Sequence, residues 1–186
     1  MRTVGILALQ GDFEAHRRAV AATGLEVRAV EVRNVAQLEA CDALILPGGE
    51  STTMLKLLDR EQLLDPLRQF SAGKPIFGTC AGAILMAKEV THPAQASLAF
   101  MDIAVERNGY GRQLDSRVTS IGTPDGDLEA VFIRAPIIRR VGAGVTVVAS
   151  YQGTPVWVEE GLHTVTTFHP ELTTDARVHR RFLERV

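Results

Sequence analysis

One cysteine in this chain stands where a nucleophile would. Gly78-Thr79-Cys80-Ala81-Gly82 has the form G-x-C-x-G, the thiol counterpart of the G-x-S-x-G elbow. A short apolar run, Pro75-Ile76-Phe77, leads into it, and Ala83-Ile84-Leu85-Met86 leaves it with helical spacing. The thiol is therefore expected at the corner where a strand turns into a helix. Glycines flank such a corner because a strained turn leaves no room for neighbouring side chains. The helix that begins there directs about half a unit of positive charge at the sulfur. That charge helps to bring a thiol from about 8.5 toward the ~3.5–7.5 range of reactive cysteines.

A nucleophilic thiol needs a base and a group that holds the base. His169-Pro170-Glu171 offers both. Proline fixes its own φ and disfavours helical backbone at His169. Residues two apart in extended chain point to the same side. The Glu171 carboxylate can then hold one ring nitrogen of His169 while the other faces Cys80. Gly48-Gly49, just after an apolar run, can present a backbone N–H where a tetrahedral oxyanion forms, with the amide of Ala81 as second donor. Cys41 precedes a strand and reads as structural. His16, His92, His163 and His179 have neither metal-ligand spacing nor a strand-end position and are expected at the surface. No cysteine or histidine cluster suggests zinc, so neither metal nor cofactor is expected.

The elements that must position these groups follow from the hydrophobic pattern. Residues 3–9 form a nearly continuous apolar run closed by Gln10-Gly11, as in a central parallel strand covered on both faces. Residues 13–23 have helical spacing, with Ala15, Ala19 and Ala22 inward and the Arg and His residues outward, and Gly24 ends the helix. A strand over 25–32, a short helix over 35–40 and a strand over 42–46 come next. Ser51 or Thr52 can cap the helix that carries Met54, Leu55, Leu57 and Leu58. Residues 75–78 form the fourth strand. This alternation predicts an α/β fold: three layers, with helices on both faces of a mostly parallel central sheet. Reactive groups in such sheets sit beyond the carboxyl ends of the strands. Gln10-Gly11, Gly48-Gly49-Glu50 and Cys80 all fall there.

Beyond about Ser97 the texture becomes β-rich. Short runs at 103–105, 118–120, 130–133, 145–149 and 156–158 are expected to extend the sheet as antiparallel strands, with Gln152-Gly153 and Glu160-Gly161 as hairpin turns. A last strand over 164–168 precedes His169, and 176–186 closes the chain as a helix. No linker or repeat interrupts the 186 residues, which suit one domain over 1–186.

Composition bounds the function classes. A net charge of −2 favours no polyanionic partner such as nucleic acid. The apolar stretch at the N-terminus is too short to span a bilayer and lacks a small-residue cleavage site. Two cysteines do not make a disulfide framework of the secreted kind, so a cytoplasmic setting is expected.

With these residues in place the chain resembles the triad, or class I, glutamine amidotransferases, whose glutaminase domains use Cys, His and Glu on this fold. More narrowly it resembles the family of glutaminase subunits of pyridoxal 5′-phosphate synthase. Four blocks carry that likeness: Leu9-Gln10-Gly11; Leu46-Pro47-Gly48-Gly49-Glu50-Ser51-Thr52-Thr53-Met54; Val105-Glu106-Arg107-Asn108-Gly109-Tyr110-Gly111-Arg112-Gln113; and Phe132-Ile133-Arg134-Ala135-Pro136. The resemblance implies hydrolysis of L-glutamine to glutamate and ammonia, with the ammonia passed to a separate synthase subunit in a hetero-oligomer that makes pyridoxal 5′-phosphate (vitamin B6). It implies Cys80 as nucleophile, His169 as base and acid, and Glu171 as its orienter. Gly49, Glu50, Ser51, Arg107, Ile133 and Arg134 would bind glutamine, and Gln10 and Gly11 would belong to a partner-linked switch. Arginines suit an anionic substrate carboxylate, and either Arg107 or Arg134 can meet it.

The nearest alternative is a glutaminase subunit of another synthase, such as the imidazole glycerol phosphate system, against which residues 107–113 argue. A thiol redox protein would keep the elbow but has no use for His169-Pro170-Glu171. A catalytically silent binding module would not need an intact triad.

Overall fold

Apolar runs flanked by amphipathic ones give a layered α/β structure. The computed structural model describes residues 1–108 and 116–186. Its first half runs β1 (Arg2–Leu7), α1 (Phe13–Ala22), β2 (Val27–Val32), α2 (Val35–Glu39), β3 (Ala43–Leu46), α3 (Ser51–Arg60), α4 (Leu64–Ser71), β4 (Ile76–Thr79) and α5 (Ala81–Met86). The second half runs β5 (Ala87–Thr91), β6 (Met101–Glu106), β7 (Ser116–Thr123), β8 (Gly126–Ile133), β9 (Ile137–Val141), β10 (Thr146–Tyr151), β11 (Thr154–Glu160) and β12 (His163–Thr166). A 3₁₀ turn, Pro170–Leu172, and α6 (Arg177–Leu183) complete it. Residues 109–113, the end of the third resemblance block, lie outside the described residues.

Among the described residues the central sheet has seven strands in the order β10-β11-β12-β4-β3-β1-β2. The five strands from β12 to β2 are parallel, and β11 and β10 add to the β12 side as antiparallel strands. The expected three-layer α/β architecture with an antiparallel C-terminal extension is what forms. Gln152 and Gly153 join β10 to β11 with positive φ at both residues, 50° and 77°, as a tight primed turn requires.

Not every late strand joins that sheet. β5, β6 and β9 form a second sheet, and β7 pairs with β8 as a separate hairpin. The expectation that all of them extend the main sheet is corrected here, and burial gives the reason. Ile103, Val105 and Ile138 pack with Leu44, Leu46, Met54 and Leu85 on one face of the central sheet. Ile121, Leu128, Ala130 and Phe132 pack with Ile6, Ile45, Phe77 and Phe168 on the other. The extra strands thus cover the sheet's faces rather than lengthen it. Each fully buried Phe, Ile or Leu contributes about 1.5–3 kcal/mol of apolar burial.

Two local readings also change. The helix α3 is capped by Glu50, whose carboxylate accepts from the backbone N–H groups of Thr52 and Thr53, rather than by Ser51 or Thr52. The buried face of α1 is Ala15, His16, Ala19 and Val20, so Val20 replaces Ala22 and the face turns to take in His16. Among the described residues no helix is long and apolar enough to cross a membrane.

Candidate active site

Parallel neighbours release their loops on one edge of a sheet, and four loops meet there. Gln10-Gly11 follow β1, Gly48-Gly49-Glu50 follow β3, Cys80 follows β4, and His169 and Glu171 follow β12. They border a cavity of about 440 Å³ lined by Gln10, Gly11, Gly48, Gly49, Glu50, Ser51, Cys80, Arg107, Ile133, Arg134 and His169. Asp12, Ile84, Asn108 and Leu172 line it too, with no signal in residue type to mark them. Ala81 and Glu171 lie behind this wall, at 1% and 6% exposure.

Cys80 adopts φ 47° and ψ −100° immediately before α5. Such backbone at a non-glycine residue costs about 1–3 kcal/mol and persists only when its surroundings enforce it. Here the Cys80 N–H donates to the carbonyl of Thr166 at 2.9 Å, and its carbonyl accepts from Ile84 at 3.2 Å. Gly82 lets the helix approach the β3 end, because a Cβ there would run into the carbonyl oxygen of Leu46. The Cys80 sulfur lies 3.8 Å from the carbonyl oxygen of Ile133.

The backbone N–H of His169 donates to the carbonyl of Val131 at 2.8 Å, which anchors the residue. Pro170 then opens a 3₁₀ turn, so Glu171 reaches His169 through a turn rather than through the extended chain expected from sequence. His169 Nδ1 and Glu171 Oε1 are 2.7 Å apart and both residues are buried. Cys80 acts on the same ring, and with Nδ1 taken by Glu171 the nitrogen left for the sulfur is Nε2. Burial pushes the imidazole pKa down, but hydrogen bonds to Cys80 and Glu171 and the charge of both outweigh it and raise the value to about 10. The ring is therefore held as an acid at neutral pH.

The β1 and β3 loops are laced together beside this pair. Asp12 N–H donates to the Gly48 carbonyl at 3.3 Å. Glu50 N–H donates to Gln10 Oε1 at 3.0 Å. Gly11, at φ 92°, makes the approach possible, since a Cβ there would collide with the Gly48 carbonyl. Gly48 itself packs against the His169 ring, which a Cβ at that position would strike.

Two arginines border the same cavity. Arg107 Nη2 lies 3.4 Å from Glu50 Oε1 and donates to Thr52 Oγ1 at 3.2 Å. The Glu50 carboxyl is held down at about 2, first by the Thr53 hydroxyl and then, against some burial, by the N–H groups of Thr52 and Thr53. It therefore anchors Arg107 as an anion. Arg134 follows β8 with φ 42° and is exposed at the cavity. Ser51 is buried and its hydroxyl donates to Gln95 Oε1 at 3.1 Å.

Two histidines expected at the surface are instead fully buried. His16 and His179 each have 0% exposure. His16 Nδ1 is 2.9 Å from His179 Nε2, and His16 Nε2 is 3.1 Å from Thr79 Oγ1. Burial depresses both pKa values, that of His179 to about 3, so the pair is neutral. The available signal was spacing, because His16 shares the 15-16-19-20 face of α1 and His179 the 178-179-182-183 face of α6.

A family model described as the SNO glutamine amidotransferase family matches residues 6–186. A pyridoxal 5′-phosphate synthase subunit PdxT from Solibacter usitatus is 57% identical, with all of both chains covered. Another from Koribacter versatilis is 50% identical over 98% of this chain and 95% of its own. A solved crystal structure of a glutamine amidotransferase superposes with a TM-score of 0.91 at 46% identity, over 98% of this chain and 97% of that one. By sequence and by fold, the chain belongs to the SNO glutamine amidotransferase family.

Proposed function

We propose that this chain hydrolyses the side-chain amide of L-glutamine and supplies the ammonia to a separate synthase subunit that makes pyridoxal 5′-phosphate. The observation that carries the reading is the meeting of the Cys80 elbow with the buried His169–Glu171 pair, 2.7 Å apart, at the edge of one cavity. The names of the similar pyridoxal 5′-phosphate synthase subunits support the choice of pathway and of a hetero-oligomer with a synthase subunit.

The Cys80 sulfur attacks the amide carbon, and the carbonyl electrons move to oxygen. Backbone N–H groups of Gly48 or Gly49 and of Ala81 receive that oxyanion, which is usually the largest single contribution to such catalysis. His169, held protonated by Cys80 and Glu171, gives its proton to the leaving nitrogen. Ammonia departs and a γ-glutamyl thioester remains on Cys80. The neutral ring then takes a proton from water, the hydroxide adds to the thioester, and glutamate leaves as the thiolate–imidazolium pair re-forms. Glu171 holds Nδ1 throughout. Arg107 and Arg134 receive the substrate carboxylate. Gly49, Glu50, Ser51 and Ile133 complete the glutamine site, with Glu50 fixing Arg107. Gln10 and Gly11 tie the oxyanion loop in place until the synthase subunit docks.

Acid quenching of the chain turning over ¹³C-glutamine with the synthase subunit, followed by peptide mass spectrometry, tests this chemistry. A labelled glutamyl adduct on the Cys80 peptide is expected. Glutamate release with label on no cysteine would require a different nucleophile.

A further inference from the structure

The Glu171 carboxylate is fully enclosed, yet only one of its oxygens has a hydrogen-bond partner among the described residues. Oε1 meets His169, whereas Oε2 is buried without a bond inside 3.5 Å. Leaving a carboxylate oxygen bare in the interior is costly. The polar group that faces it is His16 Nε2, 3.6 Å away. That nitrogen belongs to α1, not to the segment that carries the triad histidine.

Proton counting decides what His16 presents to it. A neutral imidazole has one N–H, and both His16 and His179 are neutral. In one arrangement His16 carries its proton on Nε2, directed at Glu171 Oε2 and Thr79 Oγ1, and its Nδ1 accepts from His179 Nε2–H. The lone pair of His179 Nδ1, an atom with no hydrogen-bond partner, and the Thr79 hydroxyl proton are then left over. In the other arrangement Thr79 donates to His16 Nε2 and His16 Nδ1–H donates to His179. That one buries an unpaired N–H at His179 Nδ1 and leaves Glu171 Oε2 facing an acceptor nitrogen, with no donor at all. The first arrangement gives the buried carboxylate oxygen a donor and leaves only neutral groups unpaired, which is the smaller penalty. Phe77 stands edge-on to both rings, 6.2 and 5.5 Å between centroids, and confines them.

We propose that His16 is a positioning residue for the glutaminase reaction: its Nε2–H, oriented by His179, faces Glu171 Oε2 and fixes the carboxylate so that Oε1 stays on His169. The proposal rests on the glutaminase reading. It joins α1, which starts at the Asp12–Gly48 contact beside the oxyanion loop, to the back of the triad. His16 has no bond to the Cys80 sulfur; it meets the site through Glu171 Oε2 and through the hydroxyl of Thr79.

The test has two parts. The ¹⁵N shifts of the histidine rings in the native protein report the tautomer, and His16 is expected as Nε2–H. Second, steady-state kinetics of glutamate release with the synthase subunit present compare His16→Leu, His16→Gln and His16→Asn. Loss of an orienting partner one shell out typically costs about 10–100-fold in activity. His16→Leu should fall in kcat by that factor with KM little changed. His16→Gln, whose amide nitrogen lies near the Nε2 position, should recover most of it, and His16→Asn should not. A His16 found as Nδ1–H or as a cation overturns the proposal, and so does a folded His16→Leu with wild-type kcat. If His16→Leu does not fold, equal kcat for the Gln and Asn variants overturns it. A native complex that releases no glutamate would instead refute the glutaminase reading and leave the tautomer result standing by itself.

Discussion

His169 Nδ1 and Glu171 Oε1 lie 2.7 Å apart across a single proline, because a 3₁₀ turn starts at Pro170 and folds the carboxylate back onto the ring. The imidazole and the carboxylate are thus set by one short turn, while Cys80 follows β4, a parallel neighbour of β12. Sheet register therefore sets the thiol relative to the imidazole, and turn geometry sets the imidazole relative to the carboxylate.

That division separates the roles of the two residues. His169→Ala removes the proton carrier, whereas Glu171→Gln leaves a weaker group that can still hold Nδ1. Loss of the third member of a triad is tolerated better than loss of the base, by about one to two orders of magnitude. Glutamate release by the two variants, each in complex with the synthase subunit, should differ by that factor. Equal inactivity in two folded variants would mean that the roles do not separate.

The raised pKa of His169 has a consequence for stability. Its folded value of about 10 lies above the ordinary 6.5, so the folded state binds this proton more tightly than the unfolded chain does. The resulting stabilisation is complete below pH 6.5 and is lost as pH rises through about 10. Thermal melts of the wild type should fall more between pH 6.5 and 10 than those of His169→Gln. Parallel curves would contradict the shift.

Glu50 combines two duties that a single variant can expose. Glu50→Ala removes the cap of α3, worth about 1 kcal/mol, and frees Arg107 from its anchor. Denaturant melts should register the first effect. The second should raise KM for glutamine while kcat changes little. Because its carboxyl is held at about 2, the cap is fully formed above pH 4.5 and is lost only as pH falls through 2. A Glu50→Ala protein with unchanged KM would separate Arg107 from substrate binding.

Much of this was legible in the sequence, for physical reasons that differ by element. The parallel strands announced themselves as unbroken apolar runs because both faces are covered, and Cys80, Gly48-Gly49 and His169 stood out because strand ends carry punctuation. Placement of the later strands was not legible. A run such as 103–105 or 130–133 has one buried face whether it extends a sheet or covers one, and only long-range packing chooses. His16 was missed for a narrower reason. On a ten-residue helix of alanines and arginines, the choice between Ala22 and Val20 turns the inward face enough to hide or bury a histidine.

Coupling to the partner is the next expectation. Gln10 Oε1 accepts from Glu50 N–H and Asp12 N–H donates to the Gly48 carbonyl, so the β1 loop bonds the peptide groups on either side of Gly49. A Gly-Gly peptide rotates with little steric barrier, and a misaligned donor forfeits about 10²–10³ in rate. Glutamate release by the isolated chain should rise by up to that factor as the synthase subunit is titrated in. A flat titration would show a preassembled site.

Cys80 is the residue on which the proposed glutaminase chemistry stands or falls. The measurement is the initial rate of glutamate release from glutamine by the complex containing Cys80→Ala, beside the wild type, with product formation from added ammonium salt followed in the same samples. Glutamate release should fall by a factor on the order of 10⁶, with ammonium-dependent product formation intact. Glutamate release from Cys80→Ala at a rate near that of the wild type would contradict it.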